Sequence, residues 1–421
     1  MKTLIKNGRI IDPKNKRDEL SNLFIAEDRI CGVGNGPEGF EADKIIDAEN
    51  KIICPGFIEI GCSIEDLSHS QTNFEKELEA ATSGGFTTVC LLPSSKFSIE
   101  KLPIDKKSKS AKIKFLGALT IDLAGEILAE MEGLKRAGCI GLSTGGKSII
   151  NTSVLRNALA YASSLGMLVL LDSHDPWLNE NGGMRSGAAS ILAGLPAIPK
   201  SSELVGLSRN LILVQETEAK AHMRNLSVAE SAELINRNQS TLISSDVSIS
   251  HLLLSADSID PFNSNFNVTP PLPTSEDRES LLSQLSKGEI DILSSQHHPV
   301  SADLKRSTFE SSKPGISSFD TFLPLILRIV KTKNIELMKL IETVTVAPAK
   351  VLGIDEGNLS INSKANICVF DPNMIWQADK NSLKSLGKNT PFLNETLEGK
   401  VTQTFIEGEI VYDYQNLDEK N

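Results

Sequence analysis

NTSVLRNALAYASSLGMLVLLD, residues 151–172, decides how this chain folds. Residues 151–166 have the length and pattern of an amphipathic helix, Gly166 supplies the positive-φ stop, and GMLVLLD (166–172) is a short apolar run of strand type. The same helix-then-strand unit recurs outward in both directions. Strand-like runs stand at FTTVCLLP (86–93), IKFLGALT (113–120), EAKAHMRN (218–225), STLISSDV (240–247) and EIDILSSQ (289–296). Helical stretches stand at NFEKELEAATSGG (73–85), SVAESAELINRN (227–238) and SEDRESLLSQLSKG (275–288), the last again ending on a glycine, Gly288. Repetition over some 300 residues implies a parallel sheet, and this length favours a closed (β/α)8 barrel of the TIM type over an open doubly wound sheet. No GxGxxG follows the first strand, which argues further against an open nucleotide-binding fold. In such a barrel any chemistry sits at the carboxyl ends of the strands.

The two chain ends read differently. LIKNGRIID (4–12), NLFIAEDRICGVG (22–34) and KIIDAENKIICPG (44–56) alternate short β-like runs with turn signals, as do ANICVFDP (365–372) and KVTQTFIEGEIVYD (400–413). The expectation is a small antiparallel composite β-sandwich domain from residues 1–54 and 355–421, bracketing a barrel over 55–354.

Composition narrows the function classes. A net charge of −11 over 421 residues gives no basic face for nucleic acid. No apolar tract reaches the roughly 18 residues a membrane span needs. The amino terminus breaks its apolar run at Lys6, Asn7 and Arg9, so it lacks a signal-peptide core, and a cytoplasmic protein is expected. Six scattered cysteines form no CxxC pair and read as reduced core residues.

Six segments, IICPGFIEI (52–60), GGFTTVCLLP (84–93), NVTPPLPTSEDRESL (267–281), PGISSFDTFLPL (314–325), TVAPAKVLGI (345–354) and ANICVFDP (365–372), recur in the order and spacing of the dihydroorotase family, which the chain resembles over nearly its full length. The resemblance implies a metal-dependent amidohydrolase barrel with a composite β domain. The residues at the family's working positions imply the opposite of a working hydrolase. Where the family has an HxH pair on the first barrel strand, this chain has Gly61, Cys62 and Ser63, and on a regular strand Cys62 faces away from the site. The SDDG segment appears as Ser143, Thr144, Gly145 and Gly146. A histidine after the next strand becomes Asp172; of two later histidines His222 is kept and the second becomes Asn225; the aspartate that acts as base becomes Gln296. One carboxylate, Asp172, falls short of the three protein ligands usual at a catalytic metal, and an amide at 296 cannot take a proton. The substrate-gripping arginine is replaced by Glu65, and two asparagines of the polar clamp by Ser94 and Thr269.

Other constellations have plainer readings. His222 and His297 suit hydrogen bonding near strand ends, and His297 and His298, being adjacent, cannot both reach one ion on a regular strand. Asp172, Ser173 and His174 are too close along one segment for triad geometry and read as a solvated loop. Glu65 with Asp66 reads as surface charge, and Ser63 has no assignable base. Lys106, Lys107, Lys109 and Lys112 in DKKSKSAK (105–112) read as a solvated face.

Taken together, the substitutions imply no metal, no other cofactor and no catalytic residue. The resemblance extends to silent family members that assemble with aspartate carbamoyltransferase, implying a homo- or hetero-oligomeric structural subunit in pyrimidine synthesis. Two alternatives stay open: an active dihydroorotase or cyclic amidase with an unorthodox site, and a metal-free small-molecule-binding protein using Glu65, Asp172, Asn225 and Gln296.

Overall fold

A computed structural model describes residues 1–64, 71–94, 110–179 and 182–414. Eight parallel strands run Phe57–Cys62, Phe86–Leu91, Lys112–Ala118, Gly141–Ser143, Leu168–Asp172, Ala221–Arg224, Ile243–Ser248 and Ile292–Ser294, each beside the next. The seam between last and first is bridged where the Ser63 amide donates to the His297 carbonyl (3.0 Å) and the Ser295 amide to Glu59 Oε2 (2.9 Å). The eight strands and their helices make the (β/α)8 barrel that the sequence predicts.

Period two sorts the strand side chains. Val169, Leu171, Ala221, Met223, Val247 and Leu293 face outward into one core with the surrounding helices, including Leu155, Leu159 and Ala162 of helix Thr152–Ser164. Inside the barrel, Ile58, Ile60, Cys90, Leu116, Leu170 and Ile292 form an apolar plug closed by Ala349 and Leu352. Two residues beyond Leu170 and Ile292 the inward positions turn polar, at Asp172 and Ser294, and the sixth strand ends inward on Arg224. The plug makes the amino end a packed floor, and the polar inward positions gather at the carboxyl end.

Helix boundaries follow the local chemistry. Asn151 caps Thr152–Ser164 by accepting from the amides of Ser153 and Val154, and Gly166 (φ 65°) ends it. Thr274 caps Ser275–Lys287 and Gly288 (φ 79°) closes it. The fourth strand, Gly141–Ser143, is only three residues long, too short for a periodic signal. Lys112 starts the third strand and its ammonium pairs with Glu356 (2.9 Å), which corrects the expectation of a solvated stretch there; Lys106, Lys107 and Lys109 lie outside the described residues.

The chain ends form one domain, as expected, but its sheet is mixed and not antiparallel throughout. Lys2–Asp12 pairs in parallel with both Lys44–Asp47 and Ile52–Pro55, and antiparallel with Arg17–Ala26. The hairpin at Glu27 and Asp28 needs only a tight turn, whereas the longer connection after Val33 lets the chain run back and re-enter in the parallel sense. Ile52–Pro55 lies antiparallel to Ile367–Gln377, joining the two ends, and hydrogen bonding continues unbroken through all eight strands of this sheet. Ile5, Ile25, Ile53, Ile367 and Phe405 are among its buried core. All six cysteines are free thiols, five of them buried. Among the described residues no helix is long and apolar enough to cross a membrane.

Candidate functional site

A cavity of about 540 Å³ opens at the carboxyl ends of the barrel strands. It is lined by Gly61, Ser63, Gly145, Asp172, Asn225, Thr269 and Gln296, so seven of the positions singled out in the sequence converge on one space. Thr144 stands just behind the wall and Ser94 is half-buried beside the lining residue Pro93. Glu65 and Asp66 lie outside the described residues, so the loss of the substrate-gripping cation has no structural counterpart here. Cys62 turns into the helix-facing core, its thiol donating to the Cys90 carbonyl (3.5 Å).

At the centre is a residue the sequence reading passed over. Arg224, the last residue of the sixth strand, donates from Nη1 to Asp172 Oδ1 (2.9 Å) and from Nη2 to the Gly61 carbonyl (3.1 Å). The other carboxylate oxygen of Asp172 accepts from Thr144 Oγ1 (2.8 Å) and from the Gly146 amide (2.9 Å). Asp172 is therefore not part of a solvated loop: it ends the fifth strand with both oxygens engaged. The Ser173 hydroxyl faces Met223 Sδ (3.8 Å) and Asn210, away from His174, so these neighbours form no triad.

The buried histidines are structural. His222 donates from Nε2 to Asp246 Oδ2 (2.9 Å), and its Nδ1 bonds Ser244 Oγ (2.8 Å). Burial opposes ionisation of Asp246, but the His222 hydrogen bond and the nearby charges of His222 and Arg224 outweigh it and hold this carboxyl below its ordinary range. His297 Nδ1 accepts from the amides of Ser318 and Phe319, which fixes the proton on Nε2, facing Glu77 (3.1 Å). His251 is wholly buried between Ser248 and the carbonyl of cavity-lining Pro270, and burial pushes it down to about 4. His174 lines the cavity and is also shifted down by burial, so it stands neutral at pH 7.

One wall holds a second cation. Arg185 is 1% exposed and donates to the Ser227 hydroxyl and to the Pro271 carbonyl (3.4 Å), with Glu203 at 4.0 Å. Glu203 in turn accepts from the amides of Ser227 and Val228 and the hydroxyl of Ser231. Arg185 and Glu203 carry no motif; only the fold brings them to the cavity. Arg224 did carry a signal, because strand alternation puts it on the same inward face as His222 within EAKAHMRN.

The fold implies a metal centre, and the residues present do not fit one. Positions 61, 63, 172, 225 and 296 meet in space but supply one anionic oxygen donor, Asp172, with both oxygens already hydrogen-bonded and a guanidinium as its partner. A guanidinium stands among them, and a Cβ built at Gly61 would lie 3.3 Å from Arg224 Nε. Among the described residues no group of three or more His, Cys, Asp or Glu side chains could hold an ion.

Comparison with known proteins places the chain. Residues 192–411 match the model of the amidohydrolase family and residues 50–231 that of the dihydro-orotase-like family. A dihydroorotase-like protein of Pseudomonas putida is 34% identical over 97% of this chain and 98% of its own length. A dihydroorotase of Geotalea daltonii is 30% identical over 98% and 99%. Among solved structures, the L-hydantoinase of Arthrobacter aurescens superposes with a TM-score of 0.83 at 20% identity, covering 98% of this chain and 96% of that one, a likeness of fold. With framework segments, barrel and near-full-length relatives in agreement, this chain belongs to the dihydroorotase-like family of amidohydrolases.

Proposed function

We propose that this chain is a catalytically silent dihydroorotase homologue that serves as a structural or assembly subunit for aspartate carbamoyltransferase in de novo pyrimidine synthesis. The observation that carries the reading is the convergence of Gly61, Ser63, Asp172, Asn225 and Gln296 on one cavity, with the sole anionic donor among them bound by Arg224. Ring opening of a cyclic amide asks for an activated water and a proton acceptor. The amide at 296 cannot accept a proton, and Asp172 is bound on both oxygens.

The described residues meanwhile keep the eight-stranded barrel with its plug, surrounding helices and end domain. An assembly role asks only for such a shape and a complementary surface of about 800 Å² per partner. The test is sedimentation of the purified chain with aspartate carbamoyltransferase from the same organism. Co-migration at fixed stoichiometry is expected, and independent sedimentation at micromolar concentration would end the assembly reading.

The cavity itself favours a second reading, a metal-free binder of small molecules, since about 540 Å³ falls within the ligand-pocket range. That reading requires ligand-dependent thermal stabilisation without turnover. Relatives named dihydroorotase support a third, an active cyclic amidase, which requires bound metal and ring opening.

A further inference from the structure

We infer that Arg224 is the resident cation of this centre: it ties together the strand ends that carry the former ligand positions, and it keeps divalent metal out even where ligands are restored. The inference deepens the silent reading of the site and rests on it.

The guanidinium joins three strands. It comes from the sixth, reaches Asp172 on the fifth and the Gly61 carbonyl on the first, while Asp172 carries the connection to Thr144 and Gly146 after the fourth. Arg224 is 5% exposed, and a guanidinium stays protonated at any ordinary pH. Its planar fork is suited to hold one carboxylate and one carbonyl at fixed angles, which a hydrated ammonium would do less well.

Gly61 and Arg224 are matched in size. A Cβ at position 61 would sit 3.3 Å from Arg224 Nε, 3.5 Å from Nη2 and 3.3 Å from Leu92 Cδ2. A histidine at 61 therefore meets the guanidinium before it can meet an ion. Displacing Arg224 would in turn strip Asp172 of its counter-charge in a half-buried place. Metal binding also needs deprotonated donors facing the ion, and here the guanidinium stands among the former ligand positions, donating to Asp172 and to the Gly61 carbonyl. The loss of the histidines and the gain of the arginine are thus two separate obstacles.

They separate in a metal-binding experiment on the full chain. G61H/S63H/N225H restores three donors beside Asp172 and keeps Arg224; G61H/S63H/N225H/R224A also removes it. Both are purified from zinc-supplemented cultures, checked for folding by circular dichroism, and assayed for bound zinc by mass spectrometry. The second variant is expected to hold roughly tenfold more zinc per chain or better. Equal zinc in both would overturn the inference.

A cycle of conservative variants, R224M, D172N and their double, covers the case in which the quadruple variant does not fold. Each single change is expected to lower the urea midpoint, and the double to recover most of the loss because no charge is left unmatched. Strictly additive losses would overturn the inference as well. Turnover by the unaltered protein would sink the silent reading itself, so the two failures are told apart.

Discussion

His251 makes the stability of the cavity wall depend on pH. Its ring is wholly buried: Nε2 donates to the Pro270 carbonyl (3.1 Å), leaving Nδ1 to accept from Ser248 (2.6 Å), so the neutral tautomer is fully satisfied. Burial pushes it down to about 4 from an ordinary value of 6.5. The sign follows directly. Between pH 6.5 and 4 the unfolded chain binds a proton at this residue and the folded chain does not, so stability falls as pH falls through that window. At about 1.4 kcal/mol per pH unit of difference, the full interval corresponds to about 3 kcal/mol. Replacing His251 with Gln removes the titration. The variant's loss of stability, measured by urea unfolding at 25 °C, should be largest at pH 7.5 and shrink by about 3 kcal/mol at pH 4. A difference between the two proteins that stays constant across that range would refute the reasoning.

Three other perturbations have definite outcomes. Asp246 is held below its ordinary range, so its contribution is present above about pH 4 and lost as pH falls through its folded value; D246N should flatten acid unfolding below pH 4 and cost about 3 kcal/mol at pH 7, read by urea titration. Glu77 accepts from His297 Nε2, Ser385 Oγ (2.9 Å) and the Leu386 amide (2.7 Å), so E77A leaves three buried donors unpaired and should cost about 3–5 kcal/mol, with E77Q losing less. Lys305 is pushed down to about 7 by burial, so the unfolded chain holds the extra proton between pH 7 and 10.5; stability should rise with pH across that interval in the parent protein and rise distinctly less in K305M, where the Lys400 ammonium, pushed down to about 8, still contributes.

The barrel was legible because its evidence is local. Apolar runs such as GMLVLLD, with Gly166 and Gly288 at the ends of the preceding or intervening helices, carry the period and the stop signal in a few residues. Gly141–Ser143 was not: Ile292–Ser294 is equally short but sits inside the longer run EIDILSSQ, whereas Gly141–Ser143 stands between Gly138 and the Gly145–Gly146 pair. The parallel pairing of Lys2–Asp12 with Lys44–Asp47 was missed because a pairing partner some forty residues away is set by the connection, which composition does not encode.

The emptied positions at Gly61, Ser63, Asp172, Asn225 and Gln296 could be read one by one, and the fold brings them to one cavity. What occupies their midst could not. Arg224 is separated from Asp172 by 52 residues and from Gly61 by 163, and neither separation suggests contact until the strands close into a barrel. A cation at an inward position of a buried strand was the clue available, and it asks for a buried counter-charge. Arg185 and Glu203 offered no such clue, lying in a short strand and at a helix start that the periodicity does not single out.

The central proposal is that this barrel holds no catalytic metal and opens no ring. Metal content and dihydroorotate ring opening, measured on one preparation of the full chain expressed with added zinc, test it most directly. The account predicts zinc well below one per chain and no hydrolysis above the uncatalysed rate. Stoichiometric metal with turnover would contradict it and would mean that Arg224 yields its place to an ion.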